Sequence, residues 1–374
     1  MKITIAPDSF KGSLTALEAA KNIKKGIESV IPDINFDLKP MSDGGEGIHD
    51  VLISVMKGYE IPVSIKGPLG ESLNTSIGVI DNETVIIECA RIIGLTLVPV
   101  DKRNPDKTSS YGLGEAIKIA LDKGFKKIIV GLGGSATNDG GLGMLQALGA
   151  VMKAKHNKVS IYGESIHSII DIDLSRIDNR IKNSEIIIAN DVNNPLCGKN
   201  GASLIYGKQK GSTIIQQQIF DQSLNNYALL IEKKYDLTLK DKPGAGAAGG
   251  LGFAFMVLGS HFIQGGQLVG DLIGLEESIQ SSDLVITGEG ASDMQTLNGK
   301  VPYYVSQLAQ KYDKKVGLLS GSVSNKDRQI LTPYFNYISE LVSSSVSMDF
   351  ALNKAGEVLQ ERSRELIKSI YEKG

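Results

Sequence analysis

Between Gly131 and Gly141 the chain reads Gly131-Leu132-Gly133-Gly134-Ser135-Ala136-Thr137-Asn138-Asp139-Gly140-Gly141, five glycines interleaved with two hydroxyls, an amide and a carboxylate. Glycine lets a backbone approach a phosphate closely, and successive N–H groups turned toward one point make an anion-binding concavity. Ser135 and Thr137 add hydroxyl donors, Asn138 an amide, and Asp139 a carboxylate able to take a metal. A turn that only joins a strand to a helix has no use for so many polar groups. The stretch therefore reads as a nucleotide or phosphate cradle, formed by Gly133, Gly134, Ser135, Thr137, Asn138, Gly140 and Gly141.

Four other segments carry residues of the right type. Asp8-Ser9-Phe10-Lys11-Gly12-Ser13 and Ser42-Asp43-Gly44-Gly45-Glu46-Gly47 are polar, glycine-bearing loops, each placed after an apolar run. Ligands of open parallel sheets bind beyond the carboxyl ends of strands, so two such loops favour a shared site. Asn190-Asp191-Val192-Asn193-Asn194-Pro195-Leu196 offers Asp191 as general base or metal ligand, with an Asx turn before Pro195 as the structural alternative. In Thr287 to Lys300, Glu289 and Asp293 suit Mg²⁺ and Lys300 suits a phosphate.

Other chemistries find no support. Gly244-Ala245-Gly246-Ala247-Ala248-Gly249 matches G-x-G-x-x-G, but Asp236 to Pro243 is a poor strand to precede it, which argues against a dinucleotide. What remains for it is a helix start aimed at phosphate, or close helix packing. There is no Walker A pattern, protein-kinase signature or H-E-x-x-H. His49, His156, His167 and His261 are scattered, which indicates neither zinc nor a Ser-His-Asp triad, and His261 reads as a core residue.

The elements that must position these loops alternate. Lys2–Ala6 is a strand, and Thr15 with Glu18 forms a capping box for a helix striped by Leu17, Ala20, Ile23, Ile27 and Val30. A second strand spans Ile34 to Leu38 and a helix about Glu46 to Met56, so the chain opens β-α-β-α and implies a parallel sheet. Residues 61–66, 73–80 and 84–89 read as an antiparallel meander. Alternation returns with strands at 283–287 and 315–319, a helix over 301–311, and one long amphipathic helix over 347–371.

A chain of 374 residues predicts two domains. Residues 1–66 with 281–374 are expected to form a discontinuous Rossmann-like α/β domain, and 67–280 an inserted mixed α/β domain. A net charge of −2 gives no footprint for nucleic acid or an anionic membrane. Gly244 to Gly270 lacks charged side chains, but its many glycines fit a buried Gly/Ala helix better than a membrane span. Two distant cysteines, Cys89 and Cys197, and a start without a signal-peptide core predict a cytoplasmic protein. A homodimer is left open as its assembly.

Taken in order, these segments resemble the class I glycerate kinases. The likeness is carried by Ile3 to Ser13, Ser42 to Gly47, Gly133 to Gly141, Asp191 to Leu196, Gly198 with Gly201-Ala202-Ser203, Gln209-Lys210-Gly211, Gly244 to Gly252, Thr287 to Gly290 and Gly299-Lys300-Val301-Pro302. It runs from end to end. It implies ATP-dependent, Mg²⁺-requiring phosphorylation of D-glycerate, with 2-phosphoglycerate favoured, and a two-domain α/β fold with the site in the cleft between domains. On this reading the glycine loop, with Gly246 and Gly249, holds ATP phosphates, and Mg²⁺ is shared among Asp139, Glu289 and Asp293. Lys11 and Lys300 offset charge, and Asp191 accepts the substrate proton, with Asp8 and Asp43 as runners-up. Ser9, Asp43, Gly44, Gly45, Glu46 and Arg91 are expected to contact substrate. The chain departs from the family pattern at Ala291, where Arg is usual, at Ile92-Ile93, often Ala-Ser, and at Tyr111 and Lys208. Ala291 keeps two alternatives open, phosphorylation of a related hydroxy acid and a non-catalytic hydroxy-acid sensor.

Overall fold

The computed structural model describes residues 1–155 and 158–372. Its strands are β1 (Lys2–Ile5), β2 (Asn35–Leu38), β3 (Tyr59–Lys66), β4 (Ser72–Val79), β5 (Thr84–Glu88), β6 (Lys127–Gly131) and β7 (Val151–Ala154). They continue with β8 (Ile169–Asp173), β9 (Glu185–Ala189), β10 (His261–Ile263), β11 (Leu284–Glu289), β12 (Lys315–Ser320) and β13 (Tyr337–Glu340). The chain divides into two compact units, one of residues 1–43, 50–56 and 264–374, the other of 44–49 and 57–263.

The first unit is a five-stranded, all-parallel sheet in the order β13-β12-β11-β1-β2. A sheet covered by helices on both faces needs strands apolar on both sides, and β11 is buried at every position. From β1 the chain steps one way to β2, whereas β11, β12 and β13 step the other way. The reversal between β1 and β11 is a topological switch point, the place where such sheets bind ligands. The capping box of Thr15 and Glu18 forms as expected and starts the helix Ala16–Glu28. That helix packs on Ala355–Glu372, and a Cβ on Gly26 would collide with the Gln360 carbonyl. Ile23, Ile27, Val358, Leu359 and Leu366 fill the layer against Ile3, Ile5 and Ile286. The expected single C-terminal helix is instead two, Met348–Asn353 and Ala355–Glu372, because the backbone leaves helical geometry at Lys354.

The second unit holds a six-stranded sheet in the order β10-β9-β6-β5-β4-β3, with β7 and β8 as a separate antiparallel pair. β5, β6, β9 and β10 run parallel, while β3, β4 and β5 form the expected antiparallel meander. β3 pairs with β4 along its whole length, so residues 57–66 group with the second unit rather than with the first. Residues 264–280 group with the first unit, which moves the expected boundary at 280/281 to 263/264. The glycine-rich span from Gly244 to Gly270 is not one helix. It contains a helix over Ala247–Val257 whose Ala248, Gly249 and Gly250 are left-handed, then β10, then a helix from Gly265. Among the described residues no helix is long and apolar enough to cross a membrane.

Candidate active site

In the first unit, strand register brings the acidic residues together. The Asp8 N–H donates to the Gly288 carbonyl at 2.9 Å, which sets Asp8 beside Glu289, and the Met41 N–H donates to the Pro7 carbonyl at 2.9 Å, which brings in Ser42 and Asp43. Of three adjacent parallel strands, β2 and β1 thus lead into loops that carry Asp43 and Asp8, and β11 ends at Glu289. Burial and the neighbouring Asp43 charge push the Asp8 carboxyl well above the usual carboxylate range, although the Ser9 N–H donates to it at 2.6 Å. Lys11 Nζ lies 3.2 Å from Asp43 Oδ2, and that carboxylate raises its pKa. Glu289 Oε1 accepts from Thr296 Oγ1 at 2.6 Å and Ser292 Oγ at 3.0 Å, and Lys300 Nζ is 3.5 Å from Oε2. Burial raises the Glu289 pKa, and Lys300 opposes the rise. Asp293 caps the 3₁₀ turn Met294–Asn298 through the Gln295 N–H and lies 4.0 Å from Lys300. Ala291 is an exposed loop residue.

In the second unit, β5, β6 and β9 end side by side at Glu88, Gly131 and Ala189. The loop Gly44–His49 packs onto the start of the glycine cradle. A Cβ on Gly131 would lie 2.7 Å from the Gly44 carbonyl oxygen, and one on Gly133 would collide with Gly45 Cα. The Glu88 carboxylate accepts from the Gly47 and His49 N–H groups at 3.1 Å each. The second glycine segment interlocks with the cradle from another direction. The Gly140 N–H donates to the Gly249 carbonyl at 3.0 Å, and a Cβ on Gly249 would collide with the Thr137 carbonyl. Gly246 is likewise pressed on the Pro195 carbonyl. Gly246 and Gly249 thus sit where the backbone of another loop leaves no room for a side chain. Asp191 follows β9, half-buried, while Asn190 and Asn194 fold its loop by donating to the Val192 and Asn200 carbonyls.

Some expected residues are occupied otherwise. Asp139 is fully buried and accepts from the Ser110 N–H and hydroxyl, at 2.9 and 2.7 Å, and from the Gly141 and Gly143 N–H groups. These four hydrogen bonds tie the carboxylate to its own loop and to the start of the helix Tyr111–Asp122. Arg91 donates to Ser76 Oγ at 3.1 Å and to Glu60 at 3.3 Å, which ties it to β3 and β4. Glu46 is exposed. His261 is also exposed, on the edge strand β10, and is not a core residue; His156 lies outside the described residues. Sequence reasoning missed two groups. Glu88 gave no signal beyond its place at the end of an apolar run, and Lys210 none beyond its place in a matched motif. Lys210 is 2% exposed, and its ammonium donates to Ser135 Oγ at 3.1 Å and the Thr137 carbonyl at 2.6 Å.

Buried carboxylates with lysines at a switch point, and a glycine cradle backed by a lysine, define an α/β protein equipped for charged, phosphate-bearing ligands. The profile of the glycerate kinase family matches residues 3–371. The glycerate 2-kinase of Escherichia coli K12 is 43% identical over 99% of this chain and 98% of its own length. The glycerate kinase of Bacillus subtilis 168 is 40% identical with the same coverages. A crystal structure of a protein assigned as glycerate kinase 2, from Salmonella typhimurium LT2, superposes with a TM-score of 0.86 at 38% identity, covering 99% of this chain and 98% of that one. This chain belongs to the glycerate kinase family.

Proposed function

We propose that the chain transfers the γ-phosphoryl group of ATP to D-glycerate, with 2-phosphoglycerate as product. The observation that carries this reading is the convergence of Asp8, Asp43 and Glu289, with Lys11 and Lys300, at neighbouring strand ends of the first unit. The names of the relatives, glycerate kinase and glycerate 2-kinase, supply the substrate. Phosphoryl transfer depends on alignment and on neutralising charge spread over the moving group. The substrate hydroxyl oxygen bonds to the γ-phosphorus, the bond to the β–γ bridging oxygen breaks, and ADP leaves. Asp8 takes the hydroxyl proton, a role supported by its burial and its elevated pKa. Lys11 and Lys300 offset the developing negative charge.

The glycine cradle of the second unit is proposed to hold the ATP phosphates. The buried Thr137 Oγ1 and Asn138 Oδ1, which have no hydrogen-bond partner among the described residues, support a polar ligand there. Mg²⁺ prefers hard oxygen donors. Asp43 and Glu289 would hold it, whereas four protein donors engage Asp139. When bound, the ion neutralises phosphate oxygens. The reading includes a reducing, cytoplasmic location, supported by the unpaired thiols of Cys89 and Cys197.

An ADP-release assay with D-glycerate, followed by phosphorus NMR of the product, tests the reaction and separates it from a non-catalytic sensor and from another hydroxy acid. Asp8→Asn is expected to lower kcat by roughly a hundredfold or more. Asp191 is the second candidate base, because it leaves β9 next to the strand that feeds the cradle. Near-normal turnover in folded Asp8→Asn, with the loss appearing in Asp191→Asn, would transfer the role to Asp191.

A further inference from the structure

The mechanism above makes no use of Lys210. A buried ammonium is costly to desolvate unless something negative compensates it. Among the described residues, no ion pair joins Lys210 to a carboxylate. The titratable groups that act on it are Asp139, whose carboxylate is held by the donors of Ser110, Gly141 and Gly143, and Cys89, a fully buried thiol kept neutral by that burial. Its hydrogen bonds to Ser135 and Thr137 need only a donor, which an uncharged side chain also supplies. The two hydrogen bonds do not require the charge, and Asp139 attracts it only from beyond ion-pair distance. The ammonium stands against the loop whose Thr137 Oγ1 and Asn138 Oδ1 are the orphaned polar atoms.

We propose that Lys210 is the resident positive charge of the anion pocket, a positioning residue that fixes Ser135 and Thr137 and attracts nucleotide phosphate to the loop. The inference rests on the reading that the loop binds ATP phosphates. It divides nucleotide recognition by chemistry: affinity for the charged phosphates depends on Lys210, and affinity for the uncharged nucleoside does not. Two unit charges separated by several ångströms at an effective dielectric of about 20 change a binding constant by roughly 10- to 100-fold.

The test compares ADP and adenosine as calorimetric probes on the full chain at fixed Mg²⁺, in wild type, Lys210→Gln and the loop variant Gly134→Ala. Gln keeps a donor for the Thr137 carbonyl and removes the charge. Lys210→Gln is expected to weaken ADP by roughly 10- to 100-fold, leave adenosine unchanged, and raise KM for ATP without moving KM for D-glycerate. Equal losses of ADP and adenosine would assign Lys210 a packing role only and overturn the inference. Undiminished ADP affinity in Lys210→Gln, with a loss in Gly134→Ala, would overturn it while leaving the loop reading intact. Undiminished ADP affinity in folded Gly134→Ala would remove the loop reading, and the inference with it. Should Lys210→Gln not fold, wild type carries the test. ADP affinity then has to fall as pH rises through about 8, where burial places the Lys210 pKa, while adenosine affinity stays level. Parallel curves for the two probes would overturn the inference.

Discussion

Lys210→Met converts the burial of this lysine into a measurable slope of stability against pH. Desolvation lowers the Lys210 pKa from 10.5 to about 8 in the folded chain. Below pH 8 both folded and unfolded chains carry the proton, and the folded chain bears the full penalty of a buried charge. Between the two values the unfolded chain binds more protons than the folded one, so stability rises with pH through this window. At about 1.4 kcal/mol per pKa unit, the gain is about 3 kcal/mol by the time both forms are neutral. Other lysines and tyrosines titrate in the same range, which is why the comparison with Lys210→Met is needed. The wild-type thermal midpoint, less that of Lys210→Met, is expected to climb by roughly 3–5 °C between pH 7.5 and 10.5. A difference that stays flat would show that the ammonium titrates as if in water, and the account of a desolvated cation behind the loop fails.

Three further outcomes are expected. Gly133→Ala drives a methyl into the Gly45 backbone and is expected to cost about 1–3 kcal/mol, read from urea midpoints; no loss would mean the two loops are not in close contact. Ala248→Gly relieves a non-glycine residue at φ 52° and is expected to stabilise by about 1 kcal/mol, after subtracting the greater freedom of glycine in the unfolded chain. A destabilised variant would show that the Ala248 methyl makes contacts worth more than its strain. Asp139→Asn is expected to lose about 1–3 kcal/mol of stability and leave the Mg²⁺ dependence of the rate unchanged, whereas a shifted Mg²⁺ requirement would make Asp139 a ligand after all.

What was legible in the sequence is what depends on near neighbours. The Thr15–Glu18 capping box spans one helical turn, and the meander of β3, β4 and β5 is written in short apolar runs split by turn residues. Asp8, Asp43 and Glu289 stood out because each follows a strand and adjoins glycine or serine. That β1 lies between β2 and β11, which puts all three on adjacent ends, is a fact of tertiary pairing no window contains. The Ser110 donors to Asp139 were hidden because Ser110 lies on a remote segment. Lys210 reads no differently from Lys208 two positions earlier, yet Lys208 is exposed and Lys210 is not. The left-handed run at Ala248, Gly249 and Gly250 hid inside an apolar stretch that hydropathy alone reads as helix.

The placement of β1 bears on synthesis. Once made, this interior strand can pair with β2 at once, but its other neighbour, β11, is made only after the entire 57–263 insertion. Its unpaired edge must therefore wait, exposed, while the inserted unit has every one of its own strands in hand and can condense. Domains commonly complete in the order they are translated. Here β1 and β2 precede the insertion yet belong to the unit that finishes last, and a ribosome stalled just past residue 263 would carry a completed inserted unit and an unfinished first sheet.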